Sequence, residues 1–321
     1  MRYVVSFQML DDDSQDPRKS LLGANKSTRS AGTVSTVRYC IITPSRDEER
    51  FIVGTIESVL NQTIRPVEWI IVDDGSTDGT GAIIDRYANE YSWIRTLHRK
   101  NRGHRSVGGG VEAFLDAYSL LQSSDWHYLV NLDGDLTFAS DYFERCFDHF
   151  RSMPRLGIGG GTIYDKVGDG LRLEQSPAFH VRGATKIYRR ECWEELGGLW
   201  CDLAWDTIDE LQANQLGWTT QTFSDLGLVH QRAAGSVWGP WGSAVNEGEA
   251  DYIVGYHPLF FSLKCARHVF NAPYVVRSVG IAYGYLRAMV CRRSKMQNPA
   301  LKAYLRRQQL RRIAGLSSIW K

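Results

Sequence analysis

Four short apolar runs, each followed by a segment with helical spacing, constrain the fold of this chain more than any other feature. Residues 37–44, 67–72, 93–98 and 126–132 read as strands, the first stopped by Pro44 and the last broken by Asn131. After the first run, Ser45-Arg46-Asp47-Glu48-Glu49 opens a helix with acids in its first turn, and Phe51, Ile52, Ile56, Val59 and Leu60 recur at helical spacing. Ile83, Ile84 and Tyr87 mark the second helix, Phe114, Leu115, Tyr118 and Leu121 the third, and Tyr142, Phe143, Cys146, Phe147 and Phe150 the fourth. Alternation with short connections predicts an α/β chain, with a mostly parallel central sheet and helices on both faces. Such sheets bind ligands at the carboxyl ends of their strands, and three polar loops, 44–48, 73–76 and 133–135, lie just past strand ends.

The last loop is Asp133-Gly134-Asp135. Side chains at i and i+2 of an extended segment point the same way. Two carboxylates so close repel unless a cation lies between them, and a hard divalent ion shared with substrate phosphates is the natural neutraliser. The plainer alternative is a solvated turn that ends a strand.

Hydrophobic content of 43% supports a sizeable core, and 321 residues suggest one large domain with an appendage. Charge is unevenly spread. From Lys264 onward there are 13 Lys or Arg and no Asp or Glu, leaving 25 basic against 36 acidic residues in the rest. Six cysteines without C-x-x-C spacing argue against a disulfide framework or a zinc site. Residues 1–36, polar and poor in large apolar groups, are expected to form a flexible arm with no leader peptide. No uncharged apolar run is long enough to span a bilayer, so a cytoplasmic location is expected. The expected division is an arm over 1–36, a domain over 37–262 and a basic helical tail over 263–321.

Residues 37 to about 235 resemble a family 2 glycosyltransferase of the GT-A fold. The resemblance is carried by Thr43-Pro44-Ser45-Arg46-Asp47-Glu48, Val72-Asp73-Asp74-Gly75-Ser76-Thr77-Asp78-Gly79-Thr80, Asn101-Arg102-Gly103 and Asp133-Gly134-Asp135. It implies a nucleotide-diphosphate-sugar donor, a divalent cation (Mn2+ or Mg2+) and inverting transfer. By the same resemblance Pro44 and Glu48 line the base and ribose pocket, Asp74 accepts from the base with Asp73 beside it, and Asp133 and Asp135 meet the ribose and the metal-diphosphate. Arg102 or Arg105 could reach the same phosphates.

The second half carries further candidates. Glycines 157, 159, 160 and 161 allow close backbone approach, to a sugar or at a bulge. The family shows a strand like 183–190 entering a helix that ends at Gly-Gly, as Gly197-Gly198 does here, and Gly183 is then expected to abut the donor sugar. Inverting transfer needs a carboxylate to take the acceptor hydroxyl's proton. The family's acidic motif falls on residues 205–210, so Asp206 is the expected base with Asp209 second; the alternative is an N-cap with first-turn acids. His230 is expected at the metal or diphosphate, and Arg232 at phosphate. Trp238 and Trp241, between glycines in 236–242, suggest an acceptor-side loop able to close.

The tail reads as interfacial helices over 274–290 and beyond Asn298-Pro299, drawn to an anionic membrane surface; the alternative is a basic helix packed back on the acidic body. The resulting expectation is a metal-dependent inverting glycosyltransferase that builds a polysaccharide or glycoconjugate on a glycan or lipid-linked acceptor, peripheral on the cytoplasmic membrane face. A polyprenyl-phosphate sugar synthase shares that chemistry. A nucleotide-sensing or nucleic-acid-binding protein with a basic tail is the rival of another class, and no nucleic acid is expected.

Overall fold

The structure, a computed structural model, describes residues 37–103, 108–174, 176–232, 238–269 and 275–320. The expected arm, 1–36, lies outside them.

Strands β1 (Tyr39–Ser45), β2 (Glu68–Asp73), β3 (Ile94–His98) and β4 (Tyr128–Leu132) pair in parallel in the order β3-β2-β1-β4. Helices α1 (Ile52–Leu60), α2 (Thr80–Glu90) and α3 (Gly109–Tyr118) connect them. Strand period two sorts the side chains into two cores. Tyr39, Ile41, Trp69, Ile71, Tyr128 and Val130 share one face with α1, α2 and the aromatics of α4 (Tyr142–Ser152). Cys40, Ile42, Ile70, Val72 and Leu129 share the other with Phe114 and Trp193. Burying each such aliphatic side chain contributes about 1.5–3 kcal/mol.

Beyond β4 the sheet is mixed. It continues through β5 (Leu136–Phe138), β6 (Leu156–Val167), β7 (Gly170–Leu173), β8 (Thr185–Arg189) and β9 (Thr219–His230), in the overall order β3-β2-β1-β4-β8-β6-β9-β5 with β7 on β6. β8 runs antiparallel to β4 and pairs Thr185 with Leu132, so residues 182–184 arrive beside the acidic turn, where the Asp133 amide donates to Ala184 O at 2.9 Å. β5 runs antiparallel to β9 and pairs Leu136 with His230, which delivers His230 to Asp135. The glycines of β6 serve the sheet and not a ligand: a Cβ on Gly160 would lie 2.2 Å from Thr185 O and one on Gly159 2.6 Å from Phe223, and the register with β9 shifts at both ends of the run.

Helices α5 (Arg190–Leu196) and α6 (Trp205–Gln215) follow β8. Then come α7 (Gly239–Val254), α8 (Pro258–His268), α9 (Val275–Val290) and α10 (Pro299–Ile313). Trp241 and Gly242 are helical, so the expected loop over 236–242 ends no later than Trp238; residues 236 and 237 lie outside the described region. Asn298 does not merely break the tail but caps α10, its Oδ1 accepting from Leu301 N at 3.0 Å. The expected boundary at 262/263 falls within α8. Leu301 and Leu305 bury against Ile208 and Leu211 of α6. Lys264 pairs with Glu247 and Asp251 at 2.9 and 2.7 Å, and Arg293 with Glu249 and Asp202 at 2.8 and 3.0 Å. Part of the tail's charge therefore folds back on the acidic body. Among the described residues, no helix is long and apolar enough to cross a membrane.

Candidate active site

Ser45, at the end of β1, lies between the two acidic turns. The Asp74 amide donates to Ser45 O at 2.8 Å, and a Cβ on Gly134 would come 2.8 Å from Ser45 Oγ and 2.9 Å from Ile52. Loops 73–76 and 133–135 therefore border a common cleft at the carboxyl edge of the sheet. Gly75, at φ +73°, closes the first turn onto the next loop, where a Cβ would sit 2.4 Å from Asn101 Cα.

Asp73 and Asp74 diverge, as successive residues at a strand end do. The Asp73 carboxylate turns toward α2, accepting from Ser76 N at 2.8 Å and meeting His98 Nδ1 at 3.1 Å. Burial pushes its acidity down, but these bonds and the His98 charge outweigh burial and hold its pKa below the usual range. It shapes the loop. Asp74 faces the other way, bound by Arg99 Nη1 at 2.6 Å and Arg102 Nη2 at 3.0 Å. Arg102 also pairs with Glu112, so it serves Asp74 where a phosphate contact was expected. Arg99 was not legible in the sequence; its one signal is a cation directly after a strand that parallels β2. Arg105 lies outside the described residues. Pro44 stays in the ladder opposite Val72, half-buried. Glu48 is buried, its amide donating to Thr80 Oγ1 at 2.8 Å and its carboxylate paired with Arg232.

Arg232 also reaches Asp135 at 3.2 Å and lies 5.9 Å from the centre of the Phe51 ring. His230 sits between two carboxylates, Nε2 3.2 Å from Asp135 and Nδ1 3.3 Å from Asp165. Burial pulls its pKa down, but the bond to Asp135 and the surrounding acids win, and it stands above the ordinary histidine value. In this structure the ring expected at the metal faces two carboxylates, Asp135 and Asp165.

Asp133 differs from every other acid here. Its half-buried carboxylate has no hydrogen bond or ion pair among the described residues. Burial, and then Asp135, push its pKa up to about 6. No group of three or more His, Cys, Asp or Glu side chains in metal-holding geometry occurs among the described residues. Two hard carboxylate donors, one of them unpaired, nevertheless fit a Mg2+- or Mn2+-type ion whose remaining oxygens come from phosphates and water.

The third component is α6, entered through Ala204 in a left-handed turn at φ +64°. Asp206 stands in its first turn, its side chain 21% exposed, 3.9 Å from Arg182 Nη1 and 4.0 Å from His180 Nε2. Burial raises its pKa, but His180, Lys186 and Arg182 outweigh burial and leave it below the ordinary carboxylate value. Asp209 is only 1% exposed, bound by Lys186 Nζ at 2.7 Å and Tyr188 OH at 2.6 Å. Burial pushes its pKa up to about 6. It is therefore corrected from candidate base to structural acid: i and i+3 share a broad face, but Asp209 lies on the side against β8. Glu210, fully buried, accepts from Val181 N at 2.7 Å and pairs with Lys186 at 3.0 Å and His180 at 2.9 Å. The fully buried Lys186, which the sequence did not flag, holds both acids. Gly183 abuts Trp205, whose ring would lie 2.6 Å from an added Cβ.

The family model described as glycosyl transferase family 2 matches residues 40–205, just over half of the chain. Chondroitin synthase of Escherichia coli is 32% identical over 111 residues, which cover 35% of this chain and 15% of that protein. Glycosyltransferase GlyG of Streptococcus pneumoniae is 36% identical over 87 residues, 26% of this chain and 29% of that one. The chain thus spans less than a third of either relative. Among solved structures, the mannosyltransferase PcManGT of Pyrobaculum calidifontis, determined with GDP-Man and Mn2+, has a TM-score of 0.52 at 16% identity, covering 90% of this chain and 92% of that one. At that identity the likeness is one of fold.

Proposed function

The chain belongs to glycosyl transferase family 2 and has the GT-A fold, and from this premise we propose that it is a metal-dependent, inverting glycosyltransferase using a nucleotide-diphosphate sugar. The observation that carries the reading is Asp133: an unpaired carboxylate beside a second one, at the strand edge that also presents Asp74 and Asp206. The named relatives and the Mn2+- and GDP-Man-bound structure support the same chemistry.

In this reading Asp74, oriented by Arg99 and Arg102, and Glu48, held by Arg232, line the nucleoside end of the cleft. Asp133 and Asp135 would hold a divalent ion, which would supply the positive charge that neutralises the leaving diphosphate. Arg182 and Arg232 supply further positive charge at that end. Asp206 takes the proton of the acceptor hydroxyl as its oxygen bonds to the anomeric carbon, while the carbon–oxygen bond to the diphosphate breaks on the opposite face. Its low pKa keeps it ionised and ready at neutral pH. The acceptor is a glycan, carried on a lipid at an anionic membrane surface; the basic tail from Lys264 supports that placement.

Purified protein with Mn2+, offered a panel of UDP-, GDP- and dTDP-sugars, should hydrolyse or transfer from one of them and lose that turnover on chelation. Turnover from none of them, by protein that still melts cooperatively, would overturn the reading.

A further inference from the structure

Helix α9 has an inverted pattern. Its buried side is mostly small: Ser278, Gly280, Gly284 and Ala288, with Ile281 among them, face the protein. Against α7 the approach is so close that a Cβ on Gly284 would lie 2.0 Å from Val245 O, and one on Gly248 1.9 Å from Ile281 O. Apart from Ile281, the large apolar side chains of the helix stand mostly on the outer side. Val275, Val279, Tyr283, Leu286 and Val290 recur at intervals of four, four, three and four, each 50–76% exposed. A helix facing water would place polar residues there. Trp241 of α7, itself exposed, lies 6.0 Å from Tyr283 and widens the patch. Phe261 of α8 stacks on Tyr285 at 4.2 Å, and Leu259, Leu263 and Arg267, exposed and four apart, continue along that neighbouring helix.

We propose that this outer face of α9, flanked by Trp241, is the surface that enters the interface of an anionic lipid bilayer and lies in its plane. The inference rests on the membrane placement above and names the part of the chain that makes it. Sixteen residues reach about 24 Å, short of a hydrocarbon core, and Arg277 and Arg287 interrupt them, so the helix lies flat. The occupant is anionic because the chain from Lys264 onward holds 13 cations and no acid, and setting aside Lys264, Arg277, Arg287 and Arg293, which pair with acids of the body, still leaves nine. A protein partner of equal apolarity would not call for that one-sided charge. An aromatic pair such as Trp241 and Tyr283 suits the boundary between headgroups and acyl chains.

The test is flotation of the full chain with vesicles of phosphatidylcholine alone or with phosphatidylglycerol, comparing wild type with V279E/L286E. Wild type should float with the anionic vesicles and release with salt, and the variant should partition about tenfold more weakly. Its melting temperature and donor-induced thermal shift should be unchanged. A single-cysteine label replacing Leu286 (L286C) should shift its emission to the blue on anionic vesicles only. If wild type floats and V279E/L286E floats equally well, or the label stays in water, the assignment of this face is overturned while the membrane placement stands. If wild type floats with neither vesicle, the membrane placement itself fails, whatever the donor chemistry. A wild-type dimer that V279E/L286E dissolves would give the face to a second copy and overturn the proposal.

Discussion

Arg182 Nη1 stands 3.9 Å from Asp206 Oδ2, and the same guanidinium is among the cations that restrain the Asp133 carboxyl. One arginine thus lies between the acid that seeks a cation and the acid proposed to take the acceptor's proton. The antiparallel entry of β8 beside β4 creates this arrangement, because it sets residues 182–184 against the acidic turn.

The two acids of α6 should separate in mutagenesis. Asp206→Asn is expected to lower kcat about 1,000-fold while donor binding and the unfolding midpoint barely change. Asp209→Asn removes the partner of a buried lysine and should act on stability instead. Steady-state kinetics alongside urea unfolding checks the pair. A folded, inactive Asp209→Asn with an active Asp206→Asn would reverse the assignment.

Lys186→Met is expected to cost about 3–5 kcal/mol, because it leaves Asp209 and Glu210 buried without their cation. Lys186→Met with Asp209→Asn and Glu210→Gln should recover part of that loss. Denaturant midpoints for both variants decide the matter, and a Lys186→Met midpoint equal to wild type would contradict the burial argument.

Arg99→Ala should weaken donor binding about tenfold and leave kcat within about threefold. The 2.6 Å pair with Asp74 fixes the carboxylate proposed to face the nucleoside, and nothing places Arg99 near the acceptor. Calorimetric titration with nucleotide diphosphate and Mn2+ measures it. Tighter binding would mean that the arginine blocks the carboxylate.

His98 makes stability depend on pH. Its hydrogen bond to Asp85, then that to Asp73, raise its pKa above the ordinary value against burial. The native state therefore keeps a proton that the unfolded chain gives up. The stabilisation is complete below the unfolded histidine value of about 6.5 and disappears as pH rises through the folded value. His98→Gln should destabilise by under about 1 kcal/mol at pH 6, since the ring is 46% exposed, and by less at pH 9. Urea midpoints at the two pH values test this, and a cost that grows with pH would refute it.

Three of the first four strands were readable as apolar runs with both faces buried, β3 being only partly buried, and their helices because large apolar groups recur on one side. The reversal at β8 was not. Whether a strand runs parallel or antiparallel depends on partners far away in the chain, and Thr185 to Arg189 has the same composition either way. The acidic turns were legible through their spacing. Asp209 was misjudged because i and i+3 separate by about a sixth of a turn, enough here to divide a buried acid from an accessible one. Lys186 gave no warning: a lysine in a strand looks solvated until two carboxylates are found behind it. His230 pointed to the place beside Asp135, and only the fold shows that Asp165 stands on the other side of its ring.

The contact of α7 with α9 has a mechanical consequence. Where main chain touches main chain at Gly248 and Gly284, no rotamer is available to absorb a displacement. The two helices should tilt as a single plank, so a force applied to the outer rim of α9 reaches Glu247, Glu249 and Asp251 undamped. Even alanine at either glycine would wedge the plank open, because its Cβ would meet the main chain of the facing helix.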